Sequence, residues 1–465
     1  MKSTLENFLQ LEIETNFTEK ISKTKFNVWP FIRNYFAEAF MLNNNPGVKI
    51  NQISKKKLMK DTFFGNPLNI IKRKEYFIFI YSDQRKKIGD KYYHPFDYLP
   101  AYILNEALFI EVPLNMKCSQ KDIPSRNKIS KNILLATELL ISPFISTKKY
   151  ISKRGIEETQ KLLDINYNPS KNIIRLISGY FLMKYLMLRI HKPKAVFCTV
   201  PYSIMGYIKA LKEKDIPVIE LQHGYIGHGH RAYSIPKDYG NEFYPDYFLA
   251  WGTKDQKFLQ DKTNFYIQNK SNISLVGNFY LDHLLSNKYL QQKLLPYKKI
   301  VGNESISISM QDPIEQELLN FLIPLAVSNR KINFIILPRN KSHEYYQKKF
   351  KLPKNIYLFP EINTYEGILI SKVHTTMWSS TALEAVGLSR PNILINIKGS
   401  ALKAYKGILG DKEFTYYVEN KKEFILSYQR CISLTELELK TASKNICIPN
   451  FKERLHKTVE QIIKT

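Results

Sequence analysis

KAVFCTVPYSIMGYIKALKEKDIPVIELQ, residues 194–222, decides the fold. AVFCTV is a short apolar run of strand type, IMGYIKALKEKD has helical spacing, and PVIELQ returns to a strand. Two strands joined by a helical crossover lie parallel in one sheet, with a right-handed connection. The alternation continues downstream through a Gly/His-rich loop, the strand YFLAW at 247–251, a helix around 254–261 and the strand ISLVG at 273–277. A second series follows a polar hinge near residues 286–300. It runs through the strand SISISM (305–310), the helix EQELLNFLIPLAV (315–327), the strands INFIIL (332–337) and IYLF (356–359), and the apolar stretch GILISKV (367–373). The helix STALEAVG (380–387) and the strand NILINI (392–397) complete it.

The predicted fold class is therefore α/β, with two doubly wound Rossmann-like domains facing a central cleft. The chain has 465 residues, too many for one ordinary core, and its 44% hydrophobic content is ample for two. The first domain is expected over 1–290 and the second over 291–430, with a C-terminal helix over 431–465 crossing back to the first. Extra helices precede the first sheet: FNVWPFIRNYFAEAF (26–40) places Trp29, Ile32, Phe36 and Phe40 near helical spacing. A lysine-rich linker, Ser54 to Lys60, separates them from YFIFIY (76–81), a buried strand emptying into the polar SDQRKK. Residues 131–190 read as mainly helical. Their most apolar stretch, Ile173 to Ile190, is interrupted by Arg175, Lys184 and Arg189, so it reads as an amphipathic core helix and not as a span of about 18 or more apolar residues.

Cys118, Cys198, Cys431 and Cys447 are scattered and form no C-x-x-C pair, which fits a reducing compartment. The N-terminal stretch carries acids within its first apolar run and lacks the basic start of a secretory signal, so the expected location is cytoplasmic. The net charge of +27 has two explanations. Lysines spread among abundant Asn and Ile are what an AT-rich genome produces; alternatively a basic face sits near an anionic inner-membrane surface or an anionic donor. No nucleic-acid motif is visible, and a basic polyanion-binding protein is the rival from outside the enzymes.

Three segments carry candidate chemistry. In ELQHGYIGHGHRAY (220–233), His223 follows the strand PVIELQ directly, and ligands in parallel sheets bind beyond the strands' carboxyl ends. Gln222, Gly224, His228, His230 and Arg231 complete the cleft loop; its glycines permit positive φ or close backbone approach, and its imidazoles permit proton transfer. A metal site and a simple strand cap remain alternatives, with His223 the favoured catalytic residue and no metal expected. Glu220 alternates to the opposite strand face from His223 and reads as a structural hydrogen-bond partner. In VHTTMWSSTALEAVG (373–387), Ser379, Ser380 and Thr381 open a helix, an anion site suited to phosphate, and Glu384 lies one turn on. Thr381-x-x-Glu384 is equally a capping box. After INFIIL, Arg339 and Lys341 place two cations at a strand mouth. No Asp-x-Asp, G-x-G-x-x-G, P-loop or G-x-S-x-G motif occurs.

On these residues the chain resembles bacterial capsule, lipopolysaccharide and teichoic-acid glycosyltransferases with the GT-B fold. The resemblance runs over roughly residues 195–400 and rests on PVIEL-Gln222-His223-Gly224, Pro245-Asp246 through Trp251-Gly252, Val276-Gly277-Asn278, and Ser379-Ser380-Thr381-Ala-Leu-Glu384. It implies a metal-independent, inverting transferase without a cofactor. Its nucleotide-activated sugar, UDP-, CMP- or CDP-linked, would be held by the second domain, and a glycan or lipid-linked glycan acceptor by the first. Ser379, Ser380 and Thr381 would contact donor phosphate, Glu384 the ribose or sugar, and His223 would lie near the reacting centre. Many relatives carry a basic-His-Pro motif where this chain has Pro338-Arg339-Asn340-Lys341. A nucleotide-sugar 2-epimerase, which shares the fold, is the nearest alternative.

Overall fold

The computed structural model describes residues 4–24, 26–42, 61–114, 119–124, 126–405 and 407–464. The expected lysine-rich linker, Ser54 to Lys60, and Cys118 lie outside them. The chain divides into two compact units: residues 1–250, 255–276 and 452–465 form the first, and 251–254 with 277–451 the second.

The first unit contains β1 (Tyr76–Tyr81), the antiparallel hairpin β2 (Lys86–Ile88) and β3 (Lys91–Tyr93), β4 (Ala107–Val112), β5 (Lys128–Ser130), β6 (Ala195–Cys198), β7 (Val218–Leu221), β8 (Tyr247–Ala250) and β9 (Ile273–Leu275). Seven of these form one parallel sheet in the order β5-β4-β1-β6-β7-β8-β9. The order reverses between β1 and β6, where Tyr76 pairs with Ala195 and Phe79 with Cys198. Nearly every residue of β1, β4, β6 and β7 is buried, as a sheet covered on both faces requires. The helices Leu5–Glu14, Phe17–Ile21 and Trp29–Leu42 share one core with Phe248, Tyr266 and Ile273, and Trp29, Ile32 and Phe36 are fully buried there as their spacing predicts.

The second unit contains β10 (Ser305–Ser309), β11 (Asn333–Leu337), β12 (Ile356–Tyr357), β13 (Val373–Thr376), β14 (Asn392–Ile395) and β15 (Thr415–Val418). Its parallel sheet has the order β12-β11-β10-β13-β14-β15, which is the 3-2-1-4-5-6 order of dinucleotide-binding folds, with the reversal between β10 and β13. Two doubly wound parallel sheets are thus the architecture that the sequence predicts.

The apolar half of GILISKV closes the helix Thr364–Ile370, which Asn363 and Glu366 open as a reciprocal capping box. Two local expectations fail. The expected hinge near 286–300 is the helix Lys288–Val301, with Pro296 inside it. The expected boundary at 290 falls inside the second unit. Residues 277–290 belong there because Leu281 packs on Gly387 and Asp282 accepts hydrogen bonds from the Asn450 and Phe451 amides. In the first unit, His456 of the terminal helix Phe451–Lys464 lies 2.8 Å from the Tyr98 carbonyl. Among the described residues no helix is long and apolar enough to cross a membrane.

Candidate functional site

In the first unit, polar side chains gather where β1, β6 and β7 end. Gln84, just after β1, accepts a hydrogen bond from Thr199 Oγ1 (2.7 Å), just after β6, and lies 3.1 Å from His94 Nε2. His223 follows β7, bonded through its ring to the Thr199 backbone. A neutral imidazole with its N–H on a carbonyl leaves the other ring nitrogen basic. Burial and the adjacent His230 depress His223 to about 4, against the opposing effect of the Thr199 bond, so the ring is neutral at pH 7. The Tyr233 hydroxyl stands 3.5 Å from His223 Nδ1 and donates to Glu220 Oε1 at 2.6 Å; the Tyr266 hydroxyl donates to the other oxygen. Burial raises the Glu220 carboxyl to about 8 in spite of these two donors. Glu220 is a hydrogen-bond partner, as its sequence suggests, but not on a face remote from His223. β7 stops at Leu221, so strand alternation does not extend to residue 223, and Tyr233 links the two.

The loop is held from several sides. The Gln222 amide donates to the Gly224 carbonyl (3.0 Å) and to Asp255 (2.7 Å), which makes it a loop anchor. None of Gly224, Gly227 and Gly229 takes a positive φ, contrary to one expectation. Instead Gly227 makes room for Tyr225, whose hydroxyl would come within 2.3 Å of a Cβ there and accepts from the Gly229 amide at 3.4 Å. His228 is exposed and meets Phe258 edge-on at 4.9 Å. His230 packs 4.7 Å from the Tyr233 ring and is depressed to about 4 by burial and by Arg231. Arg231 pairs with Glu38 at 3.1 Å. Below the loop lies a residue that the sequence does not single out. Arg33, fully buried, forks onto both Glu12 oxygens (2.9 and 2.6 Å) and donates to the Arg231 carbonyl (2.7 Å) and the Ser234 carbonyl (3.0 Å). Among the described residues, no group of three or more His, Cys, Asp or Glu side chains is arranged to hold a metal ion.

In the second unit the corresponding edge is built around His374 on β13. Asn392 donates its amide to the Ala382 carbonyl (2.8 Å), so its oxygen faces His374 Nδ1 (2.7 Å) and fixes the proton there. Nε2 is then the acceptor, 2.9 Å from Ser309 Oγ and 3.4 Å from Thr381 Oγ1. The capping-box alternative for Thr381 and Glu384 does not form. Thr381 is the first residue of the helix Thr381–Gly387, its hydroxyl is near His374, and Glu384 accepts from the Tyr365 hydroxyl at 2.6 Å. Ser380 is exposed at the N-cap and makes no capping bond. Ser379 is held by its carbonyl, which accepts from the Tyr405 hydroxyl.

The strand-end loops are tied together: Asn340 donates to Asp312 (2.7 Å), and the Trp378 amide donates to Gln311 (3.2 Å). This chain of contacts puts the exposed Arg339 and Lys341 on the same sheet edge as Ser379, Ser380 and Thr381. Lys341 Nζ lies 5.3 Å from the centre of the Tyr345 ring. The sequence offered signals for Gln84, in the polar run after YFIFIY, and for His374, a lone imidazole in a Thr-rich strand end. His94, Thr199 and Tyr233 reach the site only through tertiary contacts.

His374 gives a stability prediction. Burial depresses it to about 4, whereas an unfolded histidine titrates near 6.5. Between those values the unfolded chain binds a proton that the folded chain refuses. The stabilisation is therefore complete above about pH 6.5, is lost as pH falls towards 4, and amounts to roughly 3 kcal/mol. Urea unfolding at pH 7 and pH 4.5 should show a smaller pH loss in His374→Asn than in the parent. Equal losses would mean that the buried ring is already protonated.

No family model matches the chain. A curated protein, telomerase component p95 of Tetrahymena thermophila, is 25% identical over 121 residues, which is 24% of this chain and 14% of that protein's length. Solved structures similar to the chain include the calicheamicin glycosyltransferase CalG4, at 10% identity and TM-score 0.48, over 84% of this chain and 99% of that one. The UDP-GlcNAc 2-epimerase of Methanocaldococcus jannaschii is similar at 11% identity and TM-score 0.48, over 84% and 99%. The wall teichoic acid polymerase TagF is similar at 11% identity and TM-score 0.47, over 94% and 98%. Glycosyltransferases and 2-epimerases, the two enzyme types weighed from the sequence, are thus both among the neighbours.

Proposed function

We propose that the chain is a GT-B glycosyltransferase that moves a sugar or sugar-like group from a nucleotide-activated donor to a cell-surface polysaccharide or lipid-linked glycan, as in capsule or lipopolysaccharide biosynthesis. The observation that carries this reading is the neutral His223 imidazole, set at the carboxyl end of a parallel strand. A ring that is neutral at pH 7 is in the protonation state that a base needs to take a proton from a hydroxyl. The second unit supplies what a donor needs: exposed Arg339 and Lys341, and the hydroxyls of Ser379, Ser380 and Thr381, beside its own strand-order reversal. Glu384 would take a ribose or sugar hydroxyl.

In the reaction the acceptor oxygen attacks the donor's anomeric carbon while His223 takes its proton. The bond from that carbon to the nucleotide phosphate breaks, the phosphate leaves with the electron pair, and the cations neutralise it. Attack opposite the leaving group inverts the anomeric centre, with no metal needed. The enzyme would work in the cytoplasm, peripheral to the inner face of the membrane.

A melting-point screen with UDP, GDP, CMP and CDP tests the donor half, since a ligand that binds only the folded state raises Tm. At least one nucleotide should do so, and Ser380→Ala should weaken it about 10-fold without lowering the ligand-free Tm, because Ser380 makes no capping bond. If none of the four moves the melting point, the donor assignment fails. Turnover of a UDP-sugar in the absence of any acceptor would instead identify a 2-epimerase.

A further inference from the structure

A cavity of about 320 Å³ opens in the first unit beside the histidine loop. Tyr35, Arg175, Tyr202, Tyr207, His230 and Arg231 are among its walls. It shares Tyr202 with the His223 site: that ring lies 6.4 Å from the His223 ring and 6.2 Å from the His230 ring. The volume is at the small end of ligand pockets, enough for about one sugar-sized unit and not for a polymer. Three tyrosines and two arginines around such a space suit a polar ring with an acidic substituent.

The charges decide which kind of ligand. Glu38 is committed to Arg231 at 3.1 Å. Glu138 accepts from the Tyr207 hydroxyl, and burial pushes its pKa up. Arg175, by contrast, forms no hydrogen bond or ion pair among the described residues. Its charge is felt by Tyr35, Lys131, Glu138 and Tyr207, all close enough to have their titration moved by it. Of the four charged side chains on the wall, Glu38, Glu138, Arg175 and Arg231, only Arg175 has no bonded partner among the described residues, and it has the planar fork geometry that binds a carboxylate or phosphate through two oxygens.

We propose that this cavity is the acceptor subsite and that it takes a sugar or polyol bearing an acidic group, carboxylate or phosphate, gripped by Arg175. The proposal rests on the glycosyltransferase reading for the word acceptor, but the binding site itself can be tested apart from it. Isothermal titration of the full chain with glucuronate and with glycerol 3-phosphate should show at least one acid binding at least 10-fold more tightly than uncharged glucose or glycerol. The stronger of the two identifies the acidic group. Arg175→Met should remove that preference, Arg175→Lys should retain part of it, and both should keep the parent Tm, because Arg175 bonds to none of the described residues. Acids binding no better than their uncharged counterparts, or unchanged acid affinity in Arg175→Met, would overturn the proposal. Nucleotide titration on the same samples separates the two claims: acids without nucleotides would leave the subsite standing and fell the transferase, and nucleotides without acids would do the reverse.

Discussion

Arg33→Met is expected to destabilise the first unit by about 3–5 kcal/mol, the cost of breaking a buried ion pair by removing one partner. Both side chains of the Arg33–Glu12 pair are fully buried. Without the guanidinium, the Glu12 carboxylate keeps, among the described residues, only the Trp29 indole N–H (3.0 Å) and the Tyr239 hydroxyl (3.1 Å) as donors. The Arg231 and Ser234 carbonyls lose theirs as well, so the damage should reach the histidine loop. Lysine cannot substitute, since one ammonium group cannot span two carboxylate oxygens and two carbonyls in the plane that Arg33 uses. Urea titration should show a lower midpoint at unchanged slope for Arg33→Met, partly restored when Glu12→Gln removes the stranded charge. Proteolysis should become faster within residues 223–234. A midpoint within about 0.5 kcal/mol of the parent would mean that the clamp is dispensable.

The same clamp shows where reading the sequence stops. Strands such as AVFCTV, PVIELQ and INFIIL are legible because a strand buried on both faces must be apolar throughout, and the crossovers between them fix the parallel order. GILISKV is not, because four apolar residues fit the end of a helix as well as a strand; the upstream Asn363 and Glu366 were the deciding signal. ALFIEV and KIS, which become β4 and β5, and TYYV, which becomes β15, also escape, the first two within the weakly patterned N-terminal third and β5 and β15 at sheet edges. At the site, His223 is visible because strand ends in parallel sheets face ligands. Its surroundings are not: Gln84 and His94 precede it by more than a hundred residues, and Arg33 looks in sequence like one charged position in an aromatic helix. Long-range hydrogen bonds leave no periodicity to read.

His223→Ala is expected to lower kcat by 10²- to 10⁴-fold, the usual worth of a positioned general base, with Tm close to the parent. The lower end is favoured by the ring's own environment. A base depressed to about 4 is fully available at pH 7 but accepts a proton less strongly than one near 7. The pH profile gives the sharper test. The neutral ring is the active form, so kcat/KM, which reports the free enzyme, should stay level on its acid side down to about pH 5 and fall only as pH approaches 4. An unperturbed imidazole would impose its limb near 6.5. His230, depressed to a similar value in the same cluster, is the internal control. His230→Ala should alter KM for the acceptor more than kcat, because its ring lines the cavity while His223 carries the bond to Thr199. If instead His230→Ala abolishes turnover and His223→Ala does not, the proton is taken one loop residue later, and the base is the imidazole packed against Tyr233.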